Sequence, residues 1–180
     1  MKDANKVKKW RELSRKLVFQ KFSRKIEKVI YELPDGSSSD FYIKKEGPAV
    51  CVLALTSNKQ IVLVKQFRPG PQKILAELPG GYVNNNEKPE ETAERELLEE
   101  TGYKGKIQAI GTCLDDAYST MLRYCFIATE CQRVSGPKLD KNEYVQITLL
   151  SVPDFIKLLR AGETTDAEVG YRALDFLKLL

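Results

Sequence analysis

Apolar and polar positions divide the chain into short strand-like runs, cut by Gly and Pro, and a few stretches of helical period. Residues 3–14 have helical composition and no breaker. Two β-like runs follow at 17–22 and 25–33. Pro34-Asp35-Gly36, extended by Ser37 to Ser39, reads as a turn that sends 40–44 back as a short strand. The spacing predicts a small antiparallel sheet in residues 1–45. A second block, 46–180, opens at Gly47-Pro48. Its first run, 49–56, is almost continuously apolar, as in a strand buried on both faces. Asn58-Lys59 turns it into 61–67, and Arg68-Pro69-Gly70-Pro71 breaks that strand. A short strand, 73–78, ends at Pro79-Gly80-Gly81. Pro89–Thr101 is the clearest helix: Pro89 suits its first turn, Glu90 and Glu91 complement the dipole there, and Gly102 stops it. Strands are predicted at 106–113, 121–130 and 144–150, and helices at 153–160 and 166–179. The loop 132–142, with Ser135-Gly136-Pro137, reads as the mobile segment. This order describes an α+β fold.

Composition narrows the chemistry. The chain has 180 residues and no histidine. Imidazole bases, Ser-His-Asp sites and His-ligated zinc are therefore excluded. Acid-base and metal chemistry must use carboxylates, lysines, tyrosines or cysteines. The net charge is +4, but residues 1–30 hold eleven Lys or Arg against Asp3, Glu12 and Glu27, a local +8, so the other 150 residues sum to −4. Such a basic start fits nucleic acid or membrane contact. Here it is interleaved with Trp10, Leu17, Val18, Phe19 and Phe22, which favours packed structure over a solvated charge run. No helix-turn-helix or aromatic RNA signature accompanies it. No 18-residue apolar stretch and no secretory h-region occur. Cys51, Cys113, Cys125 and Cys131 form no CxxC pair. They read as reduced, mostly core thiols of a cytoplasmic protein with neither nucleic acid nor membrane as partner.

The predicted acidic helix carries the candidate site. Glu96 and Glu100, four apart, share one face, and Glu99 lies on the adjacent edge. Like charges at this spacing repel, unless the stack is solvated or holds a cation. A solvated face with Arg95 paired to Glu91 or Glu99 is the plain alternative. Pro79-Gly80-Gly81 lets backbone run close to a ligand or metal and exposes its carbonyls. Hard oxygen donors without Cys or His select Mg²⁺ or Mn²⁺.

These residues spell G-x5-E-x7-R-E-U-x-E-E-x-G-U, with U aliphatic or aromatic, through Gly81, Glu87, Arg95, Glu96, Leu97, Glu99, Glu100, Gly102 and Tyr103. Seven positions are single residue types of roughly 6–7% abundance, so a chance match at one start is on the order of 10⁻⁸. The chain thereby resembles the Nudix hydrolases. Val62-Leu63-Val64-Lys65-Gln66-Phe67-Arg68, Glu77-Leu78-Pro79-Gly80-Gly81 and Leu158-Leu159-Arg160-Ala161-Gly162-Glu163 resemble the branch acting on ADP-ribose and nucleoside diphosphate sugars. The resemblance implies an α/β/α sandwich around a mixed sheet, a small N-terminal antiparallel sheet, and a homodimer joined partly through residues 1–45. It implies metal ligands at Glu96 and Glu100 with Glu99 assisting, a further ligand in the Gly80 carbonyl, and Arg95 and Glu87 holding the loop against the helix.

Substrate contacts are expected at Arg68, Tyr118 and Phe22, with a general base at Glu143. Asp140, Asp115 and Asp116 are the other carboxylates for that role. Two positions depart from the branch. No proline lies between Pro89 and Pro137, which counts against ADP-ribose as preferred substrate, and Lys141 stands where the branch often has a glutamate. The implied activity is metal-dependent hydrolysis of a nucleotide-sugar pyrophosphate bond. Hydrolysis of dinucleoside polyphosphates or nucleoside triphosphates, and a non-catalytic regulator of the same fold, are the alternatives.

Overall fold

The computed structural model describes residues 7–139 and 144–180. Its strands are β1 (Arg11–Lys21), β2 (Arg24–Glu32), β3 (Ser38–Lys44), β4 (Ala49–Thr56), β5 (Gln60–Arg68), β6 (Lys73–Glu77), β7 (Gly80–Tyr82), β8 (Tyr103–Leu114), β9 (Leu122–Arg133) and β10 (Val145–Ser151). The helices are α1 (Pro89–Thr101), α2 (Val152–Ala161) and α3 (Ala167–Phe176). They gather into two compact units, Met1–Gly47 with Leu114–Met121, and Pro48–Cys113 with Leu122–Leu180.

In the first unit β1, β2 and β3 form an antiparallel sheet. The expected turn is there. Asp35 accepts from the Ser37 backbone and hydroxyl at 2.9 and 2.7 Å, and Gly36 takes the left-handed φ of 83°. Cross-strand charge pairs tie the strands: Arg11 to Glu32 at 2.6 Å, and Arg15 to the buried Glu27 at 2.6 Å, with Lys45 on the other Glu27 oxygen at 2.7 Å. Trp10, Tyr31 and Phe41 make an aromatic triad, with ring centroids 5.3–6.1 Å apart. Trp10 therefore packs on its neighbours. The helix expected within 3–14 is corrected: from Arg11 onward the chain is strand, and residues 3–6 lie outside the described residues. Two register shifts, between Glu12 and Ser14 and between Leu17 and Phe19, break the period-two pattern of β1.

The second unit is a seven-stranded mixed sheet, ordered β10-β5-β4-β9-β8, with β6 on β5 and β7 on β4. The β4–β9 pair is parallel, and β4–β5 is antiparallel. Central β4 is buried over seven of its eight residues, as its apolar run predicts. Its alternating side chains serve two cores. Val50, Val52 and Ala54 pack with Ala93 and Leu97 of α1 and with Phe126. Cys51, Leu53 and Leu55 pack with Phe155 and Leu159 of α2 and Val169, Ala173 and Leu174 of α3. The unit is an α/β/α sandwich. All four cysteines are free, with Cys113 and Cys125 sulfurs 3.6 Å apart. Among the described residues no helix is long and apolar enough to cross a membrane. Residues 140–142 of the loop expected to move, and the candidate base Glu143, lie outside the described residues.

Helix α1 shows how sequence sets an element. Pro89 starts it, the Lys88 backbone N–H donates to the Glu91 carboxylate at 3.0 Å, and Gly102 ends it at φ 74° with its N–H on the Leu98 carbonyl. Ala93 and Leu97 fix its buried face. Leu97→Ala is expected to cost about 2–5 kcal/mol in urea unfolding, whereas Glu94→Ala, on the exposed face, stays within about 0.5 kcal/mol.

Candidate metal and phosphate site

The site grows from the contact between the β6–β7 turn and α1. The Gly80 N–H donates to Glu100 Oε2 at 2.9 Å. A side chain at Gly81 would put its Cβ 2.3 Å from Glu96 Oε1, and one at Gly80 would strike the Val50 carbonyl oxygen at 2.3 Å. At Gly80 the obstacle is backbone and only glycine fits, whereas at Gly81 it is the flexible end of Glu96, which a side chain would push aside. β7 pairs with β4, Gly81 opposite Val50 and Gly80 opposite Cys51, so the best-buried strand holds the turn in place.

Arg95 organises the acids. Its Nε and Nη2 fork onto Glu87 at 2.9 and 3.1 Å, while Nη1 donates to Glu96 at 2.8 Å and Glu99 at 2.9 Å. A single guanidinium thus ties the loop before α1 to the carboxylates on the helix. The plain alternative for Arg95 is realised in part, since it does pair with Glu99, but through a clamp that also takes Glu96 and Glu87. The Arg95 hydrogen bonds hold the Glu87 carboxyl down at about 2, against an ordinary 4.5, and Glu87 in turn raises the arginine.

Glu96, Glu99 and Glu100 offer hard oxygen donors, with no thiol or imidazole among them, which fits a divalent cation of the Mg²⁺ class. In the described arrangement Glu96 and Glu99 face Arg95 and Glu100 faces Gly80. Among the described residues no ready-formed cluster of three or more acidic or cysteine side chains stands in metal-binding array. The Gly80 carbonyl belongs to the same turn.

A second charged group lies in the same unit. Glu77, at the end of β6, is 1% exposed. Its Oε2 accepts from Arg68 Nε at 2.8 Å and Gln66 Nε2 at 3.0 Å, and Arg68 Nη2 forms an ion pair with it at 2.7 Å. Its Oε1 accepts from Thr165 Oγ1 at 2.7 Å and Arg68 Nε at 3.0 Å. Burial opposes the Arg68 charge, but Glu77, helped by Asp166 and Glu100, raises its pKa. Just before α3, burial pushes the Asp166 carboxyl up to about 6 although Arg123 pulls it down. Arg123 Nη1 is 3.6 Å from Asp166 and also pairs with Glu168. Sequence reasoning found Arg68 but missed Glu77, Gln66, Thr165 and Asp166. The available signal was Gln66 and Arg68 two apart at the end of an apolar strand, which puts two donors on one face.

The remaining expected residues fall elsewhere. Phe22 is 88% exposed at the β1–β2 turn, with φ 51°. Tyr118 is exposed between β8 and β9, its carbonyl accepting from the Lys44 backbone at 2.7 Å. Both belong to the first unit, whereas the carboxylate site belongs to the second. Asp115 and Asp116, considered as bases, pair with Lys44 at 2.9 and 2.5 Å, and that pairing lowers the Asp116 pKa.

With this geometry in hand, the family model described as NUDIX domain matches residues 45–173. The chain is similar to the ADP-ribose pyrophosphatase of Bacillus subtilis (strain 168), 37% identical over 153 residues, 82% of this chain and 81% of that protein. It is also similar to the ADP-sugar pyrophosphatase of Mus musculus, 30% identical over 155 residues, 76% of this chain and 71% of that one. A crystal structure of an ADP compounds hydrolase superposes with a TM-score of 0.79 at 15% identity, covering 98% of this chain and all of the other, and so shares the fold.

A Glu87 pKa lowered on folding means that its ion pair stabilises the fold above the unfolded-state value and is lost as pH falls through the folded one. The urea midpoint is therefore expected to drop between about pH 5 and pH 2, and Glu87→Gln to flatten that part of the profile. An unchanged slope in the variant rules out the pair as a contributor.

Proposed function

The chain belongs to the NUDIX domain family, and from that premise we propose that it hydrolyses the pyrophosphate bond of a nucleoside diphosphate linked to a sugar. The products are a nucleoside monophosphate and a sugar phosphate. The observation carrying the substrate class is the likeness to pyrophosphatases of ADP-ribose and ADP-sugars over three quarters or more of the chain. That likeness outweighs the missing proline in 115–120, so ADP-ribose is the first substrate to try.

Glu96, Glu100 and the Gly80 carbonyl are the proposed ligands of Mg²⁺ or Mn²⁺, with Glu99 assisting. The cation supplies Lewis-acid stabilisation of charge on the phosphate oxygens. Arg95 orients the carboxylates. Arg68 meets a phosphate with the part of its guanidinium that Glu77 leaves over. Water attacks a phosphorus atom, the bridging P–O bond breaks, and the leaving phosphate departs as its anion. Glu143 is the proposed acceptor of the water proton, an assignment carried by sequence resemblance alone. Tyr118 and Phe22 are proposed to contact the nucleotide or sugar. The four free thiols favour a reducing, cytoplasmic setting.

Release of products from ADP-ribose, GDP-mannose, UDP-glucose and diadenosine polyphosphates with Mg²⁺ tests the reading. A nucleoside diphosphate sugar is expected to be cleaved fastest, and turnover confined to diadenosine polyphosphates contradicts it. Glu100→Gln should keep the fold and lower kcat by on the order of 10²–10⁴. Near wild-type turnover at saturating Mg²⁺ removes Glu100 from the metal site.

The first unit supports a homodimer. All eleven residues of β1 are exposed in the single chain, among them Leu13, Leu17, Val18 and Phe19 at 45–51%. A three-stranded sheet with so much uncovered apolar surface gains from a second copy. Sedimentation at micromolar concentration is expected to give twice the 20.4 kDa chain mass, reduced by Phe19→Lys. A wild-type monomer sinks the dimer.

A further inference from the structure

We propose that Thr165, on the segment leading into α3, is a positioning residue for substrate binding. It acts through the buried Glu77 to set the direction in which Arg68 presents its guanidinium. The inference rests on the functional reading above, in which Arg68 meets a phosphate.

Glu77 is a carboxylate almost without solvent, so its two oxygens must find their donors within the protein. Oε2 has two, Arg68 Nε and the Gln66 amide, and Arg68 Nη2 adds an ion-pair contact at 2.7 Å. Oε1 has two, the Thr165 hydroxyl at 2.7 Å and the longer branch of Arg68 Nε at 3.0 Å. The Thr165 hydroxyl also lies 3.3 Å from Asp166 Oδ2, but its single proton serves the nearer Glu77 oxygen. Thr165 is thus the main donor to one of the two oxygens, and it comes from 88 positions away in the chain.

The direction of the guanidinium follows from this. Arg68 uses its Nε–Nη2 edge on Glu77 and keeps a side chain that is 44% exposed. A planar group gripped along one edge points the opposite edge, with Nη1, away from the grip. That leftover edge is the one available to a phosphate, and the charge of Glu100 already acts on the same guanidinium. Without the Thr165 proton, Oε1 is left short of a donor. Among the described residues the cation already in contact with Oε1 is Arg68, which makes up the loss by turning further toward it. That rotation satisfies the buried acid and takes the free edge off the phosphate. The loss falls on binding, because Arg68 changes direction but keeps its charge.

The measurement is a kinetic comparison on ADP-ribose with Mg²⁺. Thr165→Val, nearly isosteric but without the hydroxyl, should raise KM on the order of tenfold with kcat within about twofold. Thr165→Ser should restore the wild-type KM. In an Arg68→Ala background Thr165→Val should add almost nothing, as expected for two residues acting in series. The Arg68 Nε–Hε NMR signal reads the same brace without any substrate: it should shift and exchange faster in Thr165→Val and stay put in Thr165→Ser. An unmoved signal in Thr165→Val, or a KM effect undiminished without Arg68, overturns the proposal. If the wild type cleaves no nucleoside diphosphate sugar while the signal responds as described, the substrate reading has failed and the brace stands.

Discussion

The structure depends on bringing several carboxylates close together in a partly dry place without letting them push the fold apart. Three glutamates within five residues on α1 repel one another by the ordinary rule for charges one turn apart. The answer is geometric as much as electrostatic. Gly81 lets backbone approach until no space for a Cβ remains beside Glu96, Gly80 points its N–H at Glu100, and Arg95 spreads its donors over Glu87, Glu96 and Glu99. The glycines belong to the β6–β7 turn and Arg95 to α1 itself, from which it also reaches Glu87 in the preceding loop, so turn, loop and helix are tied together at the acids. The turn itself is anchored on β4, whose odd and even residues fill two separate cores. Packing of the sandwich therefore sets where the charge can sit.

Much of this was legible in the sequence. The spacing from Gly81 to Tyr103 identified the acidic helix, its loop and the family, because catalysis demands particular residue types there. Pro89 and Gly102 marked the helix ends because proline and glycine have backbone preferences that context rarely overrides. The burial of β4 was visible because a strand covered on both faces has no polar positions to spare. Other features were hidden for physical reasons. The start of β1 looked helical because two bulges interrupt its alternation, and pairing with β2 overrides local propensity. β7 was invisible because three residues of Gly-Gly-Tyr carry no periodic signal. Glu77 stood in the run that carries the branch resemblance but showed no role of its own, since one of its donors, Thr165, comes from far along the chain.

Buried acids elsewhere obey the same rule with different means. Glu27 sits between Arg15 and Lys45 within the first unit, and nothing about that trio points to chemistry. Glu77 has Arg68, but the cation keeps nearly half its side chain in solvent. That difference separates a structural ion pair from one that can also bind. In the first, basic groups approach both oxygens of the acid and balance it. In the second the cation is gripped along one edge and remains available along the other.

The same contrast bears on which group takes the proton from water. A base must hold that proton once it has taken it, so a carboxylate whose anion is already stabilised by a cation is a poor choice. Asp116 is such a case: Lys44 lies against it, the Tyr118 backbone N–H donates to it at 2.6 Å, and its pKa falls below that of an ordinary aspartate. Asp115 shares the same lysine. Glu87 is likewise held low by Arg95. With no histidine in the chain, the requirement passes to carboxylates outside these pairs. Asp166 has the raised pKa that a base would want, but its carboxyl faces Arg123 and the Glu77–Arg68 group, and the segment before α3 uses it to brace that arginine. Cation partners thus disfavour Asp115, Asp116 and Glu87 as bases, Arg123 disfavours Asp166, and Glu143, to which the sequence resemblance points, stays the proposed base, with Asp140 three residues before it as the other candidate of that stretch.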